Sequence, residues 1–144
     1  MKRALVACLI AAAACGGDLD LGDRRDPVVL TAEIDVRRLD VPPLPDSFSG
    51  TWRLTLEGDR YLLHQEGFGT ISESMSAEGE ELTISAMPAP AGAFNCYGAE
   101  GRILDRVEAR YEIEATDDGV SFRPVEEPCP LRRELLGRSW RRNA

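Results

Sequence analysis

A chain of 144 residues with 17 basic and 25 acidic side chains, 43% hydrophobic residues, four cysteines and one histidine has the size of a single domain. Its net charge of −8 excludes nucleic-acid recognition through a basic surface, because neutralising phosphates needs clustered Lys and Arg. The lone His64 excludes a histidine-rich metal centre, and no phosphate loop or dinucleotide fingerprint is present, so neither a metal nor a cofactor is expected.

Lys2 and Arg3 precede an uncharged apolar run from Ala4 to Ala14. Crossing a bilayer takes about 20 apolar residues, so residues 1–14 read as a secretory signal rather than a permanent span. Ala12, Ala13 and Ala14 lead directly into Cys15, and this run resembles the lipobox of bacterial lipoproteins. The resemblance implies that Cys15 receives diacylglycerol and becomes the mature N-terminus. Ala12 stands where that family more often has leucine, which leaves cleavage by ordinary signal peptidase after an Ala-x-Ala site as the alternative. Gly16 and Gly17 lack the aspartate that retains such lipoproteins in the inner membrane, so the resemblance implies outer-membrane attachment. The expected partner is then a membrane, held through acyl chains that each contribute about 0.8 kcal/mol per buried methylene.

Cys8 leaves with the signal and Cys15 takes lipid, so Cys96 and Cys129 remain as the expected disulfide of an exported chain. Closing a loop of about 33 residues stabilises a fold by about 3.5–4 kcal/mol in the chain-entropy account. Neither cysteine lies in a nucleophile motif, so no catalytic residue is expected. With the signal removed, 17 basic residues less Lys2 and Arg3 leaves 15 against 25 acidic ones, a net charge of −10.

Residues 15–47 read as a tether rich in Gly, Asp, Arg and Pro, ending in Val41-Pro42-Pro43-Leu44-Pro45. Asp18-Leu19-Asp20-Leu21-Gly22-Asp23 has the flavour of a calcium loop, but its glycine is one position early and the twelfth-position glutamate is missing. Within the tether, Val28 to Leu39 alternates Leu30, Ala32, Ile34 and Val36 with Thr31, Glu33, Asp35 and Arg37, which predicts an added edge strand.

From Phe48 the period is two. Trp52, Leu54 and Leu56 alternate with Thr51, Arg53 and Thr55; Glu57-Gly58-Asp59 turns the chain; Tyr61 and Leu63 then share one face while Arg60, Leu62 and His64 share the other. Leu82 and Ile84 alternate with Glu81 and Thr83, and Tyr111 and Ile113 with Arg110, Glu112 and Glu114. Asp117-Asp118-Gly119 marks another turn, Phe122 lies in a short strand from Val120 to Val125 ended by Pro124 and Pro128, and Ser139 to Arg142 makes the last strand. Strands near residues 51, 60, 69, 81, 93, 107, 119 and 138 predict an all-β, up-and-down antiparallel barrel of eight short strands over residues 48–144. Pro130 to Leu136, with proline at the first turn and Gly137 at the end, predicts a single short helix.

Phe48-Ser49-Gly50-Thr51-Trp52 looks like the Gly-x-Trp motif of lipocalins, and Trp140-Arg141-Arg142 looks like their closing segment, which brings an arginine against that tryptophan. Cys129-Pro130-Leu131-Arg132 with Trp140 also resembles the ending of small exported bacterial lipocalin-like domains. The resemblance implies that Gly50, Trp52, Trp140, Arg141 and Arg142 close the barrel. It also implies that Tyr61, Leu63, Leu82, Ile84, Tyr111, Ile113 and Phe122 line a site for a small apolar ligand. No Thr-Asp-Tyr motif occurs and no C-terminal helix follows the last strand. Two functions are therefore expected of a monomeric, non-enzymatic envelope lipoprotein: carriage of an apolar ligand, or interaction with another envelope protein by a barrel filled with its own side chains.

Overall fold

The structure is a computed structural model that describes residues 26–41, 44–85 and 108–143. Its strands are β1 Val28–Ile34, β2 Gly50–Glu57, β3 Arg60–Gln65, β4 Gly69–Glu78, β5 Glu81–Ser85, β6 Ala109–Ala115, β7 Gly119–Glu126 and β8 Ser139–Arg142. Each is antiparallel to its neighbours, and the order β1 to β8 closes on itself as an up-and-down barrel. Closure leaves no free edge to template aggregation. The segment expected as an edge strand within the tether is instead a wall of the barrel: β1 pairs with β2 from Val28↔Leu56 to Ile34↔Gly50 and with β8 at Leu30↔Arg142 and Thr31↔Arg141. The strand expected near residue 93 lies outside the described residues, as do the signal, Cys15 and Cys96.

The alternation read from the sequence becomes an inside and an outside. Trp52, Leu54, Leu56, Tyr61 and Leu63 are buried, while Arg53, Glu57, Arg60 and His64 are exposed. Gly58 and Gly79 adopt positive φ angles of 56° and 59° in the β2–β3 and β4–β5 turns, a backbone state that glycine enters without a Cβ penalty. At the β6–β7 turn, Thr116 and Gly119 exchange backbone hydrogen bonds of 3.1 and 3.4 Å across Asp117-Asp118.

β7 covers the expected Val120 to Val125 and runs through Pro124 to Glu126, so of the two prolines only Pro128 lies beyond it. The register steps from Arg110↔Glu126 to Tyr111↔Pro124, so Val125 is an extra residue and the strand passes through a β-bulge. A bulge interrupts the ladder, which accommodates a residue that cannot donate to it.

β8 has only four residues, and its approach to β7 depends on Gly119. Gly119 pairs with Arg141, and a Cβ added there would collide with the backbone of Trp140. Gly119→Ala is therefore expected to destabilise the barrel by about 1–3 kcal/mol through overpacking against backbone that cannot rotate away. Urea denaturation followed by tryptophan fluorescence checks this; an unchanged midpoint contradicts it.

Among the described residues the tight turns β2–β3, β4–β5 and β6–β7 lie at one end of the barrel, where the chain also enters at Val28 and leaves after Arg142. The opposite, loop end carries the longer connections, including two 3-10 turns, Val36–Arg38 and Asp46–Phe48, and α1 Pro130–Leu136. Connections of this kind are where binding residues concentrate on a rigid barrel.

Candidate functional site

The loop end is stoppered by α1 and by the 3-10 turn at Phe48. Pro130 occupies the first turn of α1, where its missing N–H costs no hydrogen bond. The Gly137 N–H donates to Arg133 O at 2.8 Å as the helix ends. One face of this seven-residue helix sends Leu135, Leu136 and Arg132 inward.

Arg132 is the central feature. Its side chain is 1% exposed, and its Nε and Nη2 donate to Glu127 Oε2 and Oε1 at 2.7 and 2.9 Å, a bidentate pair. Nη1 reaches across the barrel to Glu73 Oε2 and Oε1 on β4, at 3.0 and 3.2 Å. The Tyr61 and Tyr111 hydroxyls donate to Glu73 and Glu127 respectively, and the Cys129 N–H donates to Glu127 Oε1 at 2.8 Å. The cluster therefore sets one guanidinium between two carboxylates, with two phenols and a backbone amide on the carboxylate oxygens. Charge-assisted, bidentate contacts of this kind are the strong members of a polar network, and unpaired groups at the same depth would be costly.

The electrostatics hold the proton positions fixed. Burial raises the Tyr61 pKa well above the ordinary phenol value, with the Glu73 charge adding to the effect. Burial and Glu127 raise Tyr111 likewise. For Arg132 burial opposes the charge, but the hydrogen bonds and charges of Glu127 and Glu73 outweigh it and push its pKa above the ordinary arginine value. Both phenols thus stay protonated as donors and the guanidinium stays charged.

A folded-state phenol pKa above the unfolded value of about 10 gives a defined sign. The stability from these protons is full below about pH 10 and declines as pH rises from there towards the folded values, because the unfolded chain releases protons first. Of three tyrosines, Tyr61 and Tyr111 are expected to show no phenolate absorbance at 295 nm until the barrel unfolds. A Tyr97→Phe background isolates the pair, and phenolate formation near pH 10 with native circular dichroism contradicts this.

Trp52 forms a second cluster. It is fully buried, its Nε1 donates to Phe48 O at 2.9 Å, and its ring centroid lies 4.7 Å from Phe48 and 5.6 Å from Phe68. The arginine expected against this tryptophan is not there. Arg141 faces outward at 78% exposure and pairs with Asp118 at 3.3 Å, and Arg142 is also exposed. The alternation of a four-residue strand explains this: Trp140 takes the inward position, which turns Arg141 out, and Arg142 follows at the rim. Gly50 holds a φ of 132°, accessible to glycine, and a Cβ there would stand 3.3 Å from Gln65 Nε2. That nitrogen donates to Ser49 O at 3.3 Å, while the buried Gln65 Oε1 has no hydrogen-bond partner among the described residues.

The seven side chains expected to line a ligand site are all inside the barrel, between 0% and 6% exposed, and belong to one hydrophobic cluster with Leu30, Trp52 and Trp140. Tyr61 and Tyr111 direct their hydroxyls to carboxylates. His64 is exposed and shares a 2.8 Å hydrogen bond with Thr70. Of the C-terminal arginines, Arg132 pairs with the Glu127 carboxylate, whereas Arg133 and Arg138 donate to the backbone carbonyls of Glu127 and Glu134. Glu73 was missed. Its inward position was nevertheless marked in Ile71-Ser72-Glu73-Ser74-Met75, where a carboxylate occupies the apolar phase of the strand. Among the described residues no three His, Cys, Asp or Glu side chains gather as a metal site.

No family model, curated protein or solved structure matches the chain.

Proposed function

We propose that the chain is a lipid-anchored envelope domain of lipocalin-like type that acts without catalysis, through the outer surface of a filled barrel, on another envelope protein. The observation that carries this reading is the interior itself. Among the described residues, twenty-one buried hydrophobic side chains and the Arg132 cluster occupy it, so the side chains expected to face a ligand face one another. An eight-stranded barrel is narrow enough to be filled in this way. The anchor at Cys15 is part of the proposal, with outer-membrane attachment. From Gly16 to Pro27 the chain can span at most about 40 Å, and it enters the barrel at the tight-turn end. A Cys96–Cys129 disulfide also belongs to it: Cys129 is buried at the N-cap of α1, where a bond would fasten the helix that delivers Arg132.

Native mass spectrometry of the chain purified from its own envelope tests the reading. A second protein at fixed stoichiometry is the expected result, and apolar small-molecule mass retained by the folded domain contradicts it. Cys15→Ser is expected to release the protein from the membrane fraction; unchanged fractionation removes the anchor from the proposal.

A further inference from the structure

The barrel closes where β1 meets β8, and this seam is the shortest in the sheet. Two register pairs join it, Leu30↔Arg142 and Thr31↔Arg141, against three to seven at every other junction. Towards the loop end the next residues in line are Ala32 and Glu33 on β1 and Trp140 and Ser139 on β8, and no pair joins them. A cleft of about 450 Å³ opens there, lined by Thr31, Ala32, Glu33, Arg138, Ser139 and Arg141. Small-molecule sites run from about 300 to 1,000 Å³.

The lining carries both signs of charge and two hydroxyls. Arg138 follows α1, and its Nε and Nη2 donate to Glu134 O at 2.9 and 2.7 Å. A guanidinium has five N–H donors, so most remain, and no carboxylate forms an ion pair with Arg138 among the described residues. Burial pushes its pKa below the ordinary arginine value, with the Glu134 charge opposing, as fits a half-buried cation short of an anion. Arg141 is already paired with Asp118. Across the cleft, Glu33 accepts a hydrogen bond from Thr51 Oγ1 and keeps acceptor capacity. The strand backbones at Glu33 and Ser139 have no ladder partner on this side.

We propose that this seam cleft binds the carboxyl-terminal end of a peptide. Arg138, with the Ser139 hydroxyl, holds the terminal carboxylate, because a guanidinium edge matches a carboxylate in two parallel hydrogen bonds; the Thr31 hydroxyl already donates to Asn143 Oδ1 at 3.1 Å. Glu33 accepts peptide N–H groups, and its negative charge disfavours a phosphate dianion in the same space. The unpaired strand backbones supply main-chain hydrogen bonds, so recognition combines terminal-carboxylate capture with short strand addition. This names a partner chemistry for the surface-acting reading and rests on it only in placing recognition outside the barrel. Failure of peptide binding would leave the mass-spectrometric test of that reading untouched.

A ¹⁵N NMR titration of the purified exported chain with triglycine tests the proposal. Saturable shifts are expected at the amides of Thr31, Ala32, Glu33, Ser139 and Arg141, with the rest of the spectrum unchanged. Arg138→Gln is expected to weaken binding more than tenfold, and amidating the probe's carboxylate to do the same. Glu33→Gln, on an exposed strand position, is expected to weaken triglycine several-fold and acetate not at all, which keeps the test independent of any effect of Arg138 on α1. No saturable shift at these amides, equal affinity for the amidated probe, or acetate binding as tightly as triglycine overturns it.

Discussion

Arg132→Met is expected to lower the unfolding free energy by about 3–5 kcal/mol, because removing one partner of a buried ion pair strands the other charge. Here two charges are stranded. Glu127 and Glu73 lose the guanidinium that holds them at 2.7–3.2 Å, and Tyr61 and Tyr111 are left donating to unbalanced carboxylates. Replacing the whole cluster at once separates this cost from lost packing. Arg132→Met combined with Glu73→Leu, Glu127→Leu, Tyr61→Phe and Tyr111→Phe is expected to recover most of the stability, since an apolar replacement of a complete buried network is often neutral. Urea denaturation of the three proteins makes the comparison. A single variant within about 1 kcal/mol of the parent contradicts the network's burial.

Trp52→Ala is expected to cost about 3–5 kcal/mol, the usual effect of deleting a large buried aromatic side chain, whereas Arg141→Ala is expected to cost less than about 1 kcal/mol because its ion pair is solvent-screened. The contrast follows from geometry. Trp52 sits against Phe48 and Phe68 with its indole N–H on Phe48 O, and Arg141 is on the outer wall beside Asp118. If an arginine stacked on Trp52 as in the lipocalin-like expectation, the two variants would be coupled. Thermal unfolding of both singles and the double variant checks this, with additive shifts as the expected result.

The reason so much of the barrel was legible is that most of its strands have one wet and one dry face. In β2, β5 and β6 charged or hydroxyl residues mark the outside at every second position, and the period alone fixes which side chains enter the core. β1 shows the same alternation, but its membership depends on pairing with Arg141 and Arg142, more than 100 positions away, and a proline-rich stretch after it reads locally as linker. How Pro124 is held inside β7 was not legible locally. Proline is a local stop, and the bulge that admits it arises from pairing between β6 and β7. The Arg132 cluster was half legible: Glu127 is close in sequence, whereas Glu73 lies 59 positions away on the far wall. Local reading places a charged helix residue in solvent; only the closed barrel brings two carboxylates within its reach.

The filled interior is tested most directly by the fluorescence of Trp52 and Trp140 while an apolar naphthylamine dye is added to the purified exported chain. Both indoles are fully buried in the core that a ligand would have to enter. A filled barrel predicts no saturable quenching or energy transfer at dye concentrations up to its solubility. One-to-one saturable binding reported by both tryptophans would contradict it.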